Sequence, residues 1–164
     1  MTEVLKNVPA ETRLTIASQT LTGAIIATNK VLLDIVGEEK YNEIIGQIWS
    51  EGGKASKQIA DSLGLVGNDA KSISEINPAV ATVEMGPEFK FETLEATTEK
   101  AIVRCTECPW WNRAKELAIS EDMCSVGDHA WNNGLAKAIN PKLNVKLTKA
   151  MPLGDTYCEW VYEL

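Results

Sequence analysis

The chain has 164 residues, enough for one domain with a buried core. With 45% hydrophobic and 24% charged residues it has an ordinary globular composition, which excludes a disordered or collagen-like chain. Sixteen Lys and Arg against twenty-three Asp and Glu give a net charge of −7 with no basic cluster. That balance argues against nucleic acid or an anionic membrane as partner, and leaves open a small ligand at a local site.

The opening MTEVLKNVPAE has no basic stretch followed by an apolar core, so no secretory signal is expected. Leu14 to Asn29 carries no charge over sixteen residues, yet Thr15, Ser18, Gln19, Thr20, Thr22 and Thr28 make it too polar, as it is too short, to span a bilayer. A cytoplasmic protein is expected, where free thiol chemistry or metal binding is favoured over structural disulfides.

Leu14, Ala17, Leu21, Ala24, Ile25, Thr28, Leu32 and Ile35 recur at helical spacing and predict one apolar face of a helix ending at Gly37. A homodimer through this stripe is one use for it. A second helix is expected from Glu38 to about Leu63, with Tyr41, Ile44, Ile45, Ile48 and Trp49 on its buried stripe. Gly52–Gly53 interrupts that pattern and marks either a break or a close contact with a neighbour. A third helix is expected between Asn68 and Met85, opened or kinked by Pro78 and closed by Gly86–Pro87.

The rhythm then changes. Glu88 to Ala96 and Lys100 to Cys105 read as two strands joined by a turn near residues 97–99. Helices are expected from Pro109 to about Ile119 and from Ser120 or Glu121 to Ala138, the second closed by Asn140–Pro141. Strands at about Leu143 to Lys149 and Tyr157 to Glu163 complete the chain. The back half is thus strand–strand–helix–helix–strand–strand, and the whole reads as a single α+β domain. Three front helices are expected to pack against a four-stranded, largely antiparallel sheet.

All four cysteines and the only histidine lie in this back half. In CTECPWW, Cys108 stands where a strand hands over to a helix whose first position suits Pro109. The unpaired amides of a helix start favour a thiolate, so Cys108 is either a reactive nucleophile or a small buried cap. The pattern C-x2-C, fifteen residues, C, thirty-three residues, C would also permit zinc or an iron–sulfur cluster on Cys105, Cys108, Cys124 and Cys158. Cys124, Asp128, Trp131, Leu135 and Ala138 share one helical face, which makes Asp128 a candidate buried carboxylate in need of a partner. His129 falls off that face and reads as a flanking residue. Alternation sets Cys158, Trp160 and Tyr162 on one buried side of the last strand. Asp155, in the preceding turn, either orients a ligand or bonds its own backbone.

The stretch Val103 to Leu164 resembles the C-terminal part of the L-2-amino-thiazoline-4-carboxylic acid hydrolase-like family. The resemblance rests on Cys108–Pro109, Cys124, Asn140–Pro141 and the closing Gly154-Asp155-Thr156-Tyr157-Cys158-Glu159-Trp160. The closing motif is also similar to the last strand of 4-vinyl reductase (V4R) domains, small-ligand modules of which some bind zinc through cysteines. Where those carry a further cysteine, Ala150 stands here, and Cys105 is an addition.

The family resemblance implies hydrolytic opening of a small sulfur heterocycle to an N-carbamoyl product. It implies Cys108 as nucleophile, Asp128 or Asp155 as acid and base, and Arg104 or Arg113 as anchor for the substrate carboxylate, with Trp110 beside them. Two alternatives stand beside it: a small-molecule-binding module without catalysis, and a zinc or iron–sulfur protein using the four cysteines.

Overall fold

The computed structural model describes residues 6–119 and 122–164. Helix α1 (Ala10–Val36) stops at Gly37, whose φ of 78° favours glycine and whose N–H closes on Leu33 O. Its buried residues are Ser18, Thr22, Ile26 and Asn29. The apolar stripe is turned away from them: Leu21 is 52% and Ile35 75% exposed. Short polar side chains can face inward because they bond back to their own helix, as Thr22 Oγ1 does to Ser18 O at 2.8 Å.

Helix α2 (Glu38–Ser62) buries Tyr41 and Ile45, while Ile48 is exposed. It runs unbroken through Gly52–Gly53. Of the two readings of that pair, close approach is the one realised. A Cβ on Gly53 would lie 2.0 Å from Trp131 O, and one on Gly134 would lie 2.3 Å from Ser50 O. Helices α2 and α5 (Ser125–Ile139) therefore pack backbone against backbone. Helix α3 (Ala70–Met85) is capped by Asp69, whose carboxylate accepts from Ser72 N at 2.7 Å. Pro78 lies inside α3 rather than at its start.

Strands β1 (Lys90–Ala96), β2 (Lys100–Glu107), β3 (Asn144–Lys149) and β4 (Cys158–Glu163) form one antiparallel sheet in the order β1-β2-β4-β3. Helix α4 (Pro109–Glu116) leaves β2 directly. The expected helix start at Ser120 or Glu121 lies outside the described residues, and α5 begins at Ser125 with Cys124 as its N-cap rather than within its face. A 3-10 turn (Met151–Leu153) and the left-handed Gly154, φ 99°, carry β3 into β4.

Two apolar clusters result. The larger lies between the inner face of the sheet, α3 and α5, around Val103, Leu135, Leu143 and Tyr162. The smaller joins α1, α2 and α4 through Ile26, Tyr41, Ile45 and Trp110. Of the three front helices only α3 lies chiefly on the sheet. Helix α2 takes α5 as its main partner and α1 takes α4, because the glycines of α2 and α5 admit a closer contact than a sheet face allows. Trp49, Met85, Cys108 and Trp111 border both clusters and mark the seam between them. Among the described residues no helix is long and apolar enough to cross a membrane.

Candidate functional site

A pocket opens along that seam, with about 610 Å3 of empty space including its mouth. Four tryptophans, Trp49, Trp110, Trp111 and Trp160, stand in its wall, and Trp49 meets Trp110 edge to face at 4.8 Å between centroids. Met85, Phe89 and Leu147 extend the apolar lining. All four cysteines reach it, as do Ser125 and Asp128. Chain segments far apart in sequence thus bring every thiol of the protein to one place.

Each cysteine arrives for a local reason. Cys105 and Cys158 are direct Cα partners across β2 and β4, both on the inward side of the alternation. Cys108 is the N-cap of α4, with Pro109 in its first turn and no side-chain capping bond. Cys124 holds the same position at α5, where Asp122 Oδ1 accepts from Cys124 N at 3.2 Å and Ser125 N at 2.9 Å. Cys158 Sγ accepts from Met151 N at 3.4 Å.

Three of the thiols are held firmly protonated. Cys105 is raised by its hydrogen bond with Cys108 and then by burial. Cys124 is raised well above the ordinary thiol value by burial and by the Asp128 charge, and Cys158 is pushed up to about 12 by the same two causes. Among the described residues no group of three or more His, Cys, Asp or Glu side chains converges as ligands for a metal ion, so the zinc and iron–sulfur reading of Cys105, Cys108, Cys124 and Cys158 gains no support.

Asp128 is the polar centre of the pocket. Its Oδ2 accepts from the Trp160 indole at 2.9 Å and its Oδ1 from Asn132 Nδ2 at 3.2 Å. Asn132 is itself fixed, because its Oδ1 accepts from both Asn77 Nδ2 and the Tyr162 hydroxyl at 2.6 Å. Enclosure by protein pushes Asp128 up to about 7, and the neighbouring Asp122 charge adds to the rise against the Trp160 hydrogen bond. A carboxyl group at that value is present in both protonation states near neutrality, which suits proton transfer. Beside it, Ser125 is 9% exposed, and among the described residues its Oγ has no hydrogen-bond partner.

The other candidates stand elsewhere. Arg104 projects from the outer face of β2, where its Nε donates to Glu159 Oε2 at 2.7 Å and its guanidinium lies 4.3 Å from the centre of the Tyr157 ring. Arg113 pairs with Glu88 at 3.2 Å and Glu116 at 2.8 Å, has no partner for its Nε among the described residues, and does not line the pocket. Asp155 Oδ2 accepts from Ala150 N at 2.9 Å, which holds its carboxyl below the ordinary range and closes its own loop. His129 Nε2 meets Val145 O at 3.1 Å, on the flank where its helical position places it. Ser125, the place of Trp49 in the pocket wall rather than merely on a buried stripe, and the donation from Trp160 to Asp128 carry no signal in the sequence. Asn132, one turn beyond Asp128, was within its reach as an i,i+4 partner.

A family model described as L-2-amino-thiazoline-4-carboxylic acid hydrolase matches residues 16–162. The match takes in most of α1 and all of α2 and α3, as well as the last sixty or so residues in which the motifs were legible. Among solved structures, the crystal structure of the phenol-responsive sensory domain of the transcription activator PoxR with phenol is similar in fold. Its TM-score is 0.67 at 14% identity, covering 87% of this chain and 73% of that chain. No curated protein matches the chain.

Proposed function

The chain belongs to the L-2-amino-thiazoline-4-carboxylic acid hydrolase family, and from that footing we propose that it opens a small sulfur-containing heterocycle by hydrolysis in the seam pocket. The observation that carries the reading is the meeting of Asp128, poised near neutrality, with a cysteine at a helix start in one aromatic-walled cavity. Cys108 is the nucleophile. Its thiolate adds to the ring carbon between nitrogen and sulfur, and the ring carbon–sulfur bond breaks as protonated Asp128 gives its proton to the departing sulfur. Water then attacks the same carbon, Asp128 takes the water's proton, and the carbon–Cys108 bond breaks. The product is an N-carbamoyl thiol, the ring plus one water.

The test is turnover of a 2-amino-thiazoline ring, followed by appearance of the new thiol. Cys108→Ala should lose at least about a hundredfold in rate with the fold retained, whereas Cys124→Ala should lose little. Equal turnover by Cys108→Ala and the parent protein removes Cys108 from the mechanism.

A second reading is a binding module of the V4R kind that holds a small ring without chemistry. It is supported by the largely apolar wall, and by the fold shared with a sensory domain whose structure was solved with phenol. Binding of phenol with no turnover of any thiazoline would favour it. The exposed stripe of α1, Leu14, Leu21 and Ile35, is the surface on which a homodimer of this chain would form.

A further inference from the structure

The charge a pocket can accept is set by the groups that line it and by where the nearest counter-charges are tied. Among the described residues no Lys, Arg or His lines this pocket, and its only acidic side chain is Asp128. The two arginines that could have answered a substrate carboxylate are engaged elsewhere, Arg104 with Glu159 on the outer face of the sheet and Arg113 with Glu88 and Glu116. A ligand bearing a carboxylate would therefore enter a cavity that holds an anion and no cation, and both desolvation and repulsion oppose it.

The same geometry favours the opposite charge. The Asp128 oxygens each accept one neutral hydrogen bond, from Trp160 and from Asn132, and a carboxylate has room for about four. No cation of the protein pairs with Asp128 among the described residues. Around it stand the indoles of Trp49, Trp110, Trp111 and Trp160, whose ring faces attract cations. Ser125 Oγ, buried in the same wall and without a partner among the described residues, is a third polar point awaiting a ligand.

We propose that the pocket takes a small planar nitrogen base in its cationic form, a cyclic amidine or isothiourea lacking a carboxylate. Two N–H groups of the base donate to the Asp128 carboxylate, its ring stacks among the tryptophans, and Ser125 supplies the third contact; the proton that Asp128 gives to the departing sulfur is then one it takes from the bound base. The inference rests on the hydrolase reading and narrows its substrate to rings without the acid group.

Calorimetric titration of the full chain with three probes tests this: 2-amino-2-thiazoline, 2-amino-thiazoline-4-carboxylate, and phenol as a neutral ring. The carboxylate-free base should bind at least about tenfold more tightly than the carboxylated ring. Asp128→Asn should weaken the base by at least about tenfold while changing phenol less than about twofold. Equal or tighter binding of the carboxylated ring overturns the proposal, and so does an Asp128→Asn protein that folds and binds the base unchanged. The comparison of the two rings needs no variant, so it decides even if Asp128→Asn does not fold. Turnover measured in parallel separates the two claims. Tight binding of the base with no ring opening sinks the hydrolase reading alone, and turnover of a tightly bound carboxylated ring sinks this inference alone.

Discussion

Replacing Asp128 with Asn should change the stability of the protein by an amount whose sign depends on pH. Asp128 is raised from 3.8 to about 7 in the folded chain, chiefly by burial. Between those values the native state holds a proton that the unfolded chain has released, so stability falls as pH rises through the window from about 4 to about 7 and is level above it. A gap of that size corresponds to about 4 kcal/mol at 1.36 kcal/mol per pH unit. An amide carries no charge at any pH, so it escapes that cost. It must, however, turn an NH2 group toward either the Asn132 amide or the Trp160 indole, both of which are donors. One hydrogen bond is then lost, about 1 kcal/mol. Asp128→Asn should therefore be about 1 kcal/mol less stable than the parent near pH 4 and about 3 kcal/mol more stable at pH 8. Urea unfolding followed by tryptophan fluorescence at the two pH values measures both differences. A variant whose stability difference is the same at both, within about 0.5 kcal/mol, would refute the assignment of Asp128 as the group titrating in the native pocket.

Other consequences are equally direct. Gly134→Ala would set a Cβ 2.3 Å from Ser50 O, forcing α2 and α5 apart; a loss of about 3 kcal/mol and a Tm lower by about 10 °C are expected by calorimetry. Gly23→Ala, where a Cβ meets nothing within 4 Å, should instead raise stability by about 0.5–1 kcal/mol. Arg104→Gln removes the pair with Glu159 and the contact with the Tyr157 ring, both outside the pocket, so ligand affinity should change by less than about twofold in the same titrations. If α1 forms the homodimer, Leu21→Glu with Ile35→Glu should shift the sedimenting species from dimer to monomer with Tm little changed, since both side chains are already exposed in the single chain.

Much of the fold was legible because its signals are local. The period-two runs around Val103 and Trp160 marked β2 and β4 and their inward sides, and Cys108–Pro109 marked the junction from which α4 starts. Helix α1 was legible as a helix but not in its orientation. Its apolar stripe faces outward, while Ser18, Thr22 and Asn29 face in, two of them relieved by hydroxyl bonds to their own backbone. Apolar periodicity detects the helix, but which arc is covered depends on what packs there.

The pocket divides the same way. Its thiols, its helix-start cysteine and the acidic residue one turn into α5 were all readable, since residue type and helical spacing are properties of neighbouring positions. Which of them act together was not. Asp128 receives its indole donor from Trp160, thirty-two residues away, whereas Asp155, Arg104 and Arg113 find partners outside the pocket. Local residue order fixes the elements, the strand faces and the stock of reactive groups. Which charges are left without a counter-charge inside the cavity is a matter of the folded arrangement, because a carboxylate's partners and its desolvation are set by atoms brought near it from distant parts of the chain.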